Sequence, residues 1–225
     1  MMVPPSSQGV WSLQAEEISC LEDVGSTLHR HPGHVFMREG EDSDFALLIK
    51  KGHVKVIAGN PARIVAFRGP NETVGEMGAL RGTPRSATVV AWDEVEVLYV
   101  GSTQLKKFLH DFPSAMYALL VATDDRVIQA TRMIAESDLA IERRFAKVLV
   151  RLVEDGLTTR AGETSTMRLS QKDLASLVGC STESVKKIVR VFKDHQFIDT
   201  GREFLTIVDV DALREVADGK PTASW

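Results

Sequence analysis

The feature that most constrains the fold is a segment near the C-terminal end, residues 168–190, which predicts two short helices joined by a tight turn. Ser170 is placed to cap the first helix, Gly179 supplies the left-handed residue that ends it, and Ser181 caps the second. Apolar residues at helical spacing give each helix one buried stripe: Leu174, Leu177 and Val178 in the first, and Val185, Ile188, Val189 and Phe192 in the second. The pattern is typical of a helix-turn-helix whose second helix is the recognition helix.

The outward side of the second helix carries the residues that would face DNA. Once the apolar stripe is assigned, the solvent side is left with Thr182, Glu183, Lys186, Lys187 and Arg190. Basic side chains suit DNA phosphates, and the recognition helix of this motif lies in the major groove. The alternative is an ordinary helical hairpin with a solvated charged face. The turn glycine, the second cap and the basic outer face together favour DNA binding.

The charge distribution fits a specific DNA-binding protein better than an indiscriminate one. The 225 residues carry 27 Lys and Arg against 31 Asp and Glu, a formal net charge of −4. Residues 1–137 hold 13 basic and 17 acidic residues, a net of −4, whereas residues 138–225 hold 14 of each. A local basic face on an acidic body permits specific binding with weak non-specific attraction. The acidic half therefore needs another role.

Composition excludes several other classes. The two cysteines, Cys20 and Cys180, lie far apart, which excludes a cysteine-rich disulfide scaffold or a four-cysteine metal site within one chain. A secretory leader and a bilayer-spanning apolar run are both lacking, so we expect a cytoplasmic protein without membrane attachment. We find no nucleophile–base–acid set, no Walker-type loop and no His-Glu-x-x-His pattern. We therefore expect no enzyme, no metal site and no obligatory cofactor.

The N-terminal half reads as short strands separated by turns. Residues 1–10 are rich in Pro and Ser and are expected to be disordered. Strand-like runs follow at residues 35–37, 45–49, 54–57, 64–67, 87–91 and 95–100. Glycine and proline punctuate the intervals, and the spacing of about ten residues predicts a small antiparallel barrel or jelly roll.

A helical pattern replaces the strands after residue 100. A short helix is expected at 103–110, and a long one begins at Pro113. Steps of four and three residues then form a heptad seam of Met116, Leu120, Thr123, Val127, Ala130 and Ile134. Such a stripe more often faces a core, but a helix that joins two domains lacks a core for part of its length. We therefore interpret the seam as a homodimer contact.

The whole chain is predicted to be an α+β protein in three parts. Residues 1–112 form an effector-binding jelly-roll domain, and residues 113–137 form the dimerisation helix. Residues 138–225 form a winged helix-turn-helix DNA-binding domain, in which a helix at 141–152 precedes the motif and a hairpin of 196–199 and 204–208 follows it.

A second segment with chemical potential, residues 73–87, lies within the predicted barrel. Gly75 and Gly78 let the backbone approach a ligand closely, and amides in a tight turn form an anion-binding nest. Arg85 offers a planar fork for a phosphate, and Glu76 offers an acceptor for a sugar hydroxyl. Together they suit a cyclic nucleotide. The alternative is a surface ion pair between Glu76 and Arg85 beside a turn.

These motifs carry a resemblance to a known family. Gly75-Glu76-Met77, followed by Arg85-Ser86-Ala87 nine residues after the glutamate, is similar to the cyclic-nucleotide-binding fold. A long helix follows this segment, and the helix-turn-helix with its turn at residues 178–181 comes later in the chain. With these features in this order, the chain resembles the cyclic-AMP receptor protein/FNR family of bacterial transcription regulators. The resemblance covers about residues 13–208.

The resemblance implies roles for individual residues of the ligand site. The effector phosphate would lie at Arg85 and Ser86 with Gly75 as an amide donor, the ribose would lie at Glu76, and Met77 belongs to the same set. Members that respond to cyclic AMP use a Thr-Ser pair on the long helix to reach the adenine, one residue from each subunit. This chain has Gln129 and Ala130 at those positions, with Thr131 adjacent.

On the DNA side, the resemblance places Thr182, Glu183 and Lys187 at the base-reading positions. Glu183 would accept from a cytosine amine and Lys187 would donate to a guanine. Lys186 and Arg190 suit phosphates, and the capping residues Ser170 and Ser181 complete the set. Thr182 replaces an arginine that grips guanine in the cyclic-AMP-responsive members, so the preferred half-site is expected to differ at one position.

The sequence thus predicts a homodimeric transcription regulator that binds a palindromic operator in double-stranded DNA and is controlled by a cyclic nucleotide such as cAMP. The family implies RNA polymerase as a further partner. The alternative is the same DNA-binding regulator with a non-nucleotide effector or with constitutive DNA binding, and haem at His29, His31 or His34 is a minor variant. Effector identity, target genes and the choice between activation and repression stay open.

Overall fold

The structure is a computed structural model that describes residues 10–162, 164–201 and 203–220. Except for Val10, the N-terminal residues for which the sequence predicts disorder lie outside this described part. Contacts between residues divide the chain into two units, Met1–Thr131 and Arg132–Trp225. The division falls inside the helix that the sequence assigned to dimerisation.

From Val10 onward, where the structure describes it, the N-terminal unit contains two four-stranded antiparallel sheets and four helices. Its elements are α1 (Ala15–Val24), β1 (Ser26–Arg30), β2 (Val35–Met37), β3 (Phe45–Lys51), β4 (Val54–Ala58), β5 (Arg63–Arg68), β6 (Thr73–Val74), α2 (Glu76–Arg81), β7 (Thr88–Ala91), β8 (Val95–Gly101), α3 (Ser102–Asp111) and the long α4 (Pro113–Ala135). One sheet has the order β1–β8–β3–β6 and the other β2–β7–β4–β5. The jelly-roll prediction is confirmed, although β1, β6, α1 and α2 were not foreseen.

The first sheet is buried on both faces, and the sequence of β3 shows why. Leu47 and Ile49 point into the core between the sheets, whereas Ala46 and Leu48 pack under the helices with Trp11. A strand that is covered on both sides carries apolar residues at consecutive positions rather than at alternate ones. This arrangement fixes β3 rigidly, and the loop that leads into it lies beside the candidate site.

The C-terminal unit is a winged helix-turn-helix. Its elements are α5 (Ile141–Glu154), β9 (Thr159–Ala161), β10 (Thr164–Arg168), α6 (Gln171–Val178), α7 (Thr182–Asp194), β11 (Ile198–Thr200), β12 (Phe204–Ile207) and α8 (Val210–Ala217). The strands form one antiparallel sheet in the order β11–β12–β10–β9. The predicted hairpin corresponds to β11 and β12, while β9, β10 and α8 were not foreseen. Phe145 of α5 and Phe192 of α7 meet edge to face in the core, with ring centroids 5.3 Å apart.

Helix α4 buries one side and leaves the predicted seam outside the core. Ala115, Leu119 and Ala122 are the buried residues of this helix. The bulky apolar seam residues are instead exposed to solvent: Met116 by 53%, Leu120 by 65%, Val127 by 59% and Ile134 by 74%. In the described part of the chain, no helix has the length and apolarity needed to cross a membrane.

Candidate effector site and DNA-binding surface

The side chain of Arg85 turns into the barrel domain and is only 3% exposed. Its Nε donates to Ser43 Oγ (2.8 Å), Nη1 to the carbonyl of Gly75 (2.6 Å) and Nη2 to the carbonyl of Phe45 (2.7 Å). A guanidinium has five N–H groups. Each terminal nitrogen therefore keeps one N–H that no hydrogen bond to the described residues uses.

The positive charge of Arg85 is buried without a direct counter-ion. All three acceptors are neutral oxygen atoms, and no carboxylate of the described residues forms an ion pair with this guanidinium. Burial lowers the pKa of Arg85, and the more distant carboxylates of Glu41, Asp44 and Glu76 act in the opposite direction. Because a buried charge is costly unless it is compensated, this arrangement favours the binding of an anion.

The glycines of this segment make room for Arg85. Gly75 has a φ of +80°, and a Cβ there would lie 2.8 Å from Arg85 Nη1. A Cβ at Gly78 would lie 3.1 Å from the same nitrogen. Gly75 precedes the short helix α2 of residues 76–81, and Gly78 lies inside that helix, so the predicted turn is the N-terminal end of a helix.

The carboxylate of Glu76 is buried and is paired with a residue that sequence reasoning missed. Glu76 Oε1 lies 2.7 Å from Nη1 of Arg126 on α4, and the two side chains are 6% and 15% exposed. Arg126 Nη2 also donates to the carbonyl (2.8 Å) and Oγ1 (3.2 Å) of Thr73. The alternative of a surface pair between Glu76 and Arg85 is wrong. One signal was available, since Arg126 is the only lysine or arginine between Lys107 and Arg132.

The other predicted ligand residues lie at the surface or on α4, outside the buried contacts of Glu76 and Arg85. The side chain of Met77 is 48% exposed, and Ser86 also lies at the surface. Gln129 is half-buried and Ala130 is exposed, both on α4 within four residues of Arg126. The structure therefore brings Gly75, Glu76 and Arg85 together but leaves the Met77 and Ser86 side chains outside that cluster.

The histidines considered for haem are partly engaged with carboxylates. His29 Nε2 lies 3.3 Å from Glu96 Oε2, and His31 Nδ1 lies 2.9 Å from Glu94 Oε1. Within the described residues, no cluster of three or more His, Cys, Asp or Glu side chains is arranged to hold a metal ion.

In the C-terminal unit, the caps of the helix-turn-helix form as the sequence predicts. Ser170 Oγ accepts from the backbone N–H of Asp173 (3.1 Å), and Ser181 Oγ accepts from that of Ser184 (3.1 Å). Gly179 ends α6 in the left-handed region with a φ of +70°. The four apolar residues of α7 are buried, whereas the predicted outward residues are all exposed: Thr182, Glu183, Lys186, Lys187 and Arg190.

The exposed face of α7 contains one internal ion pair. Lys186 Nζ lies 2.7 Å from Glu183 Oε1, and the hydrogen bond from Lys186 lowers the pKa of Glu183. Among the described residues, no carboxylate forms an ion pair with Lys187 or Arg190. These two cations are therefore available to nucleic acid, and at the end of α7 Lys193 instead pairs with Asp199 of the wing (2.9 Å).

Two sequence models of known protein families match the two units. The model described as the cyclic nucleotide-binding domain matches residues 27–112, and the model described as the Crp-like helix-turn-helix domain matches residues 143–216. The first range contains the Glu76–Arg85 cluster and the second contains α6 and α7. The chain belongs to the CRP/FNR family of transcription regulators. This CRP/FNR-family chain therefore carries a cyclic nucleotide-binding domain and a DNA-binding domain.

Curated relatives and solved structures agree with that membership. The CRP/FNR-family chain is 26% identical to the CRP-like cAMP-activated global transcriptional regulator of Mycobacterium tuberculosis. The alignment spans 186 residues, which are 80% of this chain and 83% of the relative. It is 24% identical over 198 residues to the cyclic AMP receptor protein of Thermus thermophilus, covering 83% and 86%. The c-di-GMP-responsive global regulator CLP of Xanthomonas campestris shares the fold, with a TM-score of 0.77 at 20% identity over 86% of this chain and 99% of that one.

Proposed function

We propose that this chain is a homodimeric, sequence-specific DNA-binding regulator controlled by a cyclic nucleotide, cAMP, that binds beside Arg85 and Glu76. The observation that carries the proposal is the buried guanidinium of Arg85, which has three neutral acceptors and no counter-ion among the described residues. A cyclic phosphate carries one negative charge and suitably spaced oxygen atoms. It would compensate the buried charge and accept from the two remaining N–H groups.

Glu76 and Arg126 supply the proposed ribose contact. Arg126 holds Oε1 of Glu76, and we assign the other carboxylate oxygen to the ribose 2′-hydroxyl. The Nε of Arg126 is buried and has no hydrogen-bond acceptor among the described residues. An unsatisfied buried donor is costly, which supports a ligand or a water molecule at this place.

Gln129 is our candidate for the base contact. Its amide carries both donors and an acceptor, which match the N6 and N7 edge of adenine, whereas Ala130 offers neither. The neighbouring Thr131 is already engaged, because its Oγ1 donates to the carbonyl of Val127 (2.9 Å). We therefore propose that Gln129 replaces the Thr-Ser pair of other members.

The exposed seam of α4 supports the homodimer. Large apolar side chains at heptad spacing that lie outside the core expose a stripe that a parallel copy of the helix would bury. Ala130 belongs to this seam and is adjacent to Gln129, so the proposed base contact lies at the edge of the dimer contact.

A dimer presents two recognition helices to a palindromic operator in double-stranded DNA. We assign base reading to Thr182, Glu183 and Lys187, phosphate contact to Arg190, and backbone contact near the helix caps to Ser170 and Ser181. Lys186 belongs to the same surface. A regulator of this family is expected to act on RNA polymerase, and because its relatives are DNA-binding regulators of bacteria we propose the cytoplasm as its location.

The decisive experiment measures cAMP binding by calorimetry and operator binding by fluorescence anisotropy for the wild type and for Arg85→Leu. We expect cAMP to raise operator affinity for the wild type and to have no effect on the variant. Arg81→Leu is the matched control, since Arg81 is an exposed arginine of α2 in the same segment. Circular dichroism confirms that both variants are folded. A normal cAMP response of Arg85→Leu would refute the phosphate assignment.

A second candidate is the same regulator with a non-nucleotide effector or with constitutive DNA binding. Two observations favour it: the usual Thr-Ser pair is absent, and Arg85 already forms three internal hydrogen bonds. Thermal-shift measurements with cAMP and cGMP separate the candidates. If neither nucleotide raises the melting temperature while the protein binds operator DNA, the second candidate is correct.

A further inference from the structure

Arg85 is held by an aromatic stack as well as by hydrogen bonds. Its Cζ lies 4.5 Å from the centroid of the Phe45 ring, which itself stacks on Tyr99 with centroids 4.7 Å apart and an interplanar angle of 28°. The carbonyl of the same Phe45 accepts from Arg85 Nη2. One residue at the start of β3 therefore contacts the guanidinium through both its ring and its backbone.

The register of the sheet explains why this stack forms. Phe45 is paired with Gly101 and Leu47 with Tyr99, so Phe45 and Tyr99 are diagonal neighbours on one face of adjacent strands. Gly101 has no side chain opposite Phe45. The Tyr99 ring is therefore able to lie against the Phe45 ring, and the pair provides a fixed flat surface for the guanidinium.

We propose that Phe45, supported by Tyr99, is a positioning residue that sets the plane of the Arg85 guanidinium so that its two remaining N–H groups point to the effector phosphate. The inference rests on the proposed function of Arg85. Three hydrogen bonds to a loop hydroxyl and two carbonyls hold the nitrogens, and the ring packed on the guanidinium adds to them by opposing rotation about the Cδ–Nε bond. A cation that is excluded from water gains most from an aromatic face.

Replacing Phe45 should separate the binding of the phosphate from the binding of the nucleoside. If Phe45 acts only through Arg85, its replacement weakens ligands that carry the charged phosphate and spares the same nucleoside without it. If Phe45 is merely part of the apolar core of the barrel, its loss weakens both ligands alike. Comparing cAMP with adenosine therefore distinguishes a positioning role from a structural one.

The test uses the full chain and the variants Phe45→Leu and Phe45→Tyr, titrated with cAMP and with adenosine. We expect Phe45→Leu to lose about tenfold in cAMP affinity, equivalent to about 1.4 kcal/mol, and less than about twofold in adenosine affinity. Phe45→Tyr keeps an aromatic face and should stay within about twofold of the wild type for both ligands. Phe67→Leu is the matched control, because Phe67 is a buried barrel residue that packs edge to face on Trp92 instead.

A second measurement does not depend on the ligand. The Nε–H of Arg85 is buried and bonded to Ser43, so its hydrogen exchange, followed by nitrogen-15 NMR, should be slow in the wild type and in Phe45→Tyr. It should accelerate at least about tenfold in Phe45→Leu. Unchanged exchange, or equal losses for cAMP and adenosine, would overturn the inference. If the wild type binds no cAMP, or if Arg85→Leu binds cAMP normally, the proposed function is refuted instead. In that case the exchange rate of the Arg85 Nε–H alone decides whether Phe45 orients Arg85.

Discussion

Replacing Arg126 tests whether the buried ion pair between Glu76 and Arg126 stabilises the fold as strongly as its burial suggests. Arg126→Met keeps most of the apolar stem but removes the partner of Glu76 and both bonds to Thr73. Removal of one member of a buried pair costs about 3–5 kcal/mol, because the remaining charge stays buried and uncompensated. Arg126 is 15% exposed, so water partly relieves the penalty, and we expect the lower end, a loss of about 3 kcal/mol in the free energy of unfolding.

Urea unfolding followed by tryptophan fluorescence measures this loss. Two of the three tryptophans, Trp11 and Trp92, belong to the N-terminal unit, and Trp11 is only 2% exposed. The double variant Glu76→Gln with Arg126→Met removes the orphaned charge, so it should be at least as stable as Arg126→Met alone. A loss below about 0.5 kcal/mol in Arg126→Met, or strictly additive losses in the double variant, would refute the reasoning.

Four further predictions concern the proposed dimer, the DNA surface and the glycine beside Arg85. Val127 lies on the exposed seam, and Val127→Asp should convert the protein to a monomer in analytical ultracentrifugation. Ile128 is exposed on another side of the same helix, so Ile128→Asp should leave the dimer intact. A dimeric Val127→Asp would contradict the seam assignment. Arg190→Ala should reduce the slope of log affinity against log salt by about 0.9. Glu183→Gln should instead leave the slope nearly unchanged and cost about 1–3 kcal/mol of discrimination at a single base pair in anisotropy titrations. Gly75→Ala should weaken cAMP binding and lower the melting temperature, because its Cβ would lie 2.8 Å from the Arg85 guanidinium at a φ of +80°; unchanged binding and stability would show that the loop shifts freely.

The helix-turn-helix was predictable because its signals are local. The caps of Ser170 and Ser181 each involve a residue only three positions away, and Gly179 sets its own backbone angle. The polar strands β9 and β10 were missed for the opposite reason. Thr164, Ser165 and Thr166 carry no apolar alternation, and only their pairing with β12 and β9 makes them a sheet.

The candidate ligand site was predictable in its residue types but not in its contacts. The motif identifies Glu76 and Arg85, yet the partner of Glu76 lies 50 residues later and the acceptors of Arg85 lie 10, 40 and 42 residues earlier. Spacing along the chain cannot show whether an arginine at a loop points to solvent or inward. Two glycines next to that arginine are compatible with either orientation, and only the packing shows that they accommodate its side chain.

Helix α4 joins the candidate ligand site to the proposed dimer contact. One side of the helix buries Ala115, Leu119 and Ala122 against the barrel domain, and Arg126 continues that side toward Glu76. A different side carries the exposed seam, which includes Val127, the residue next to Arg126. Because Arg126 and Val127 are consecutive residues of one helix, we expect a ligand that changes the Glu76–Arg126 contact to move the neighbouring seam residues as well. A cyclic nucleotide beside Glu76 would therefore act on the dimer contact through α4, without a separate relay of side chains.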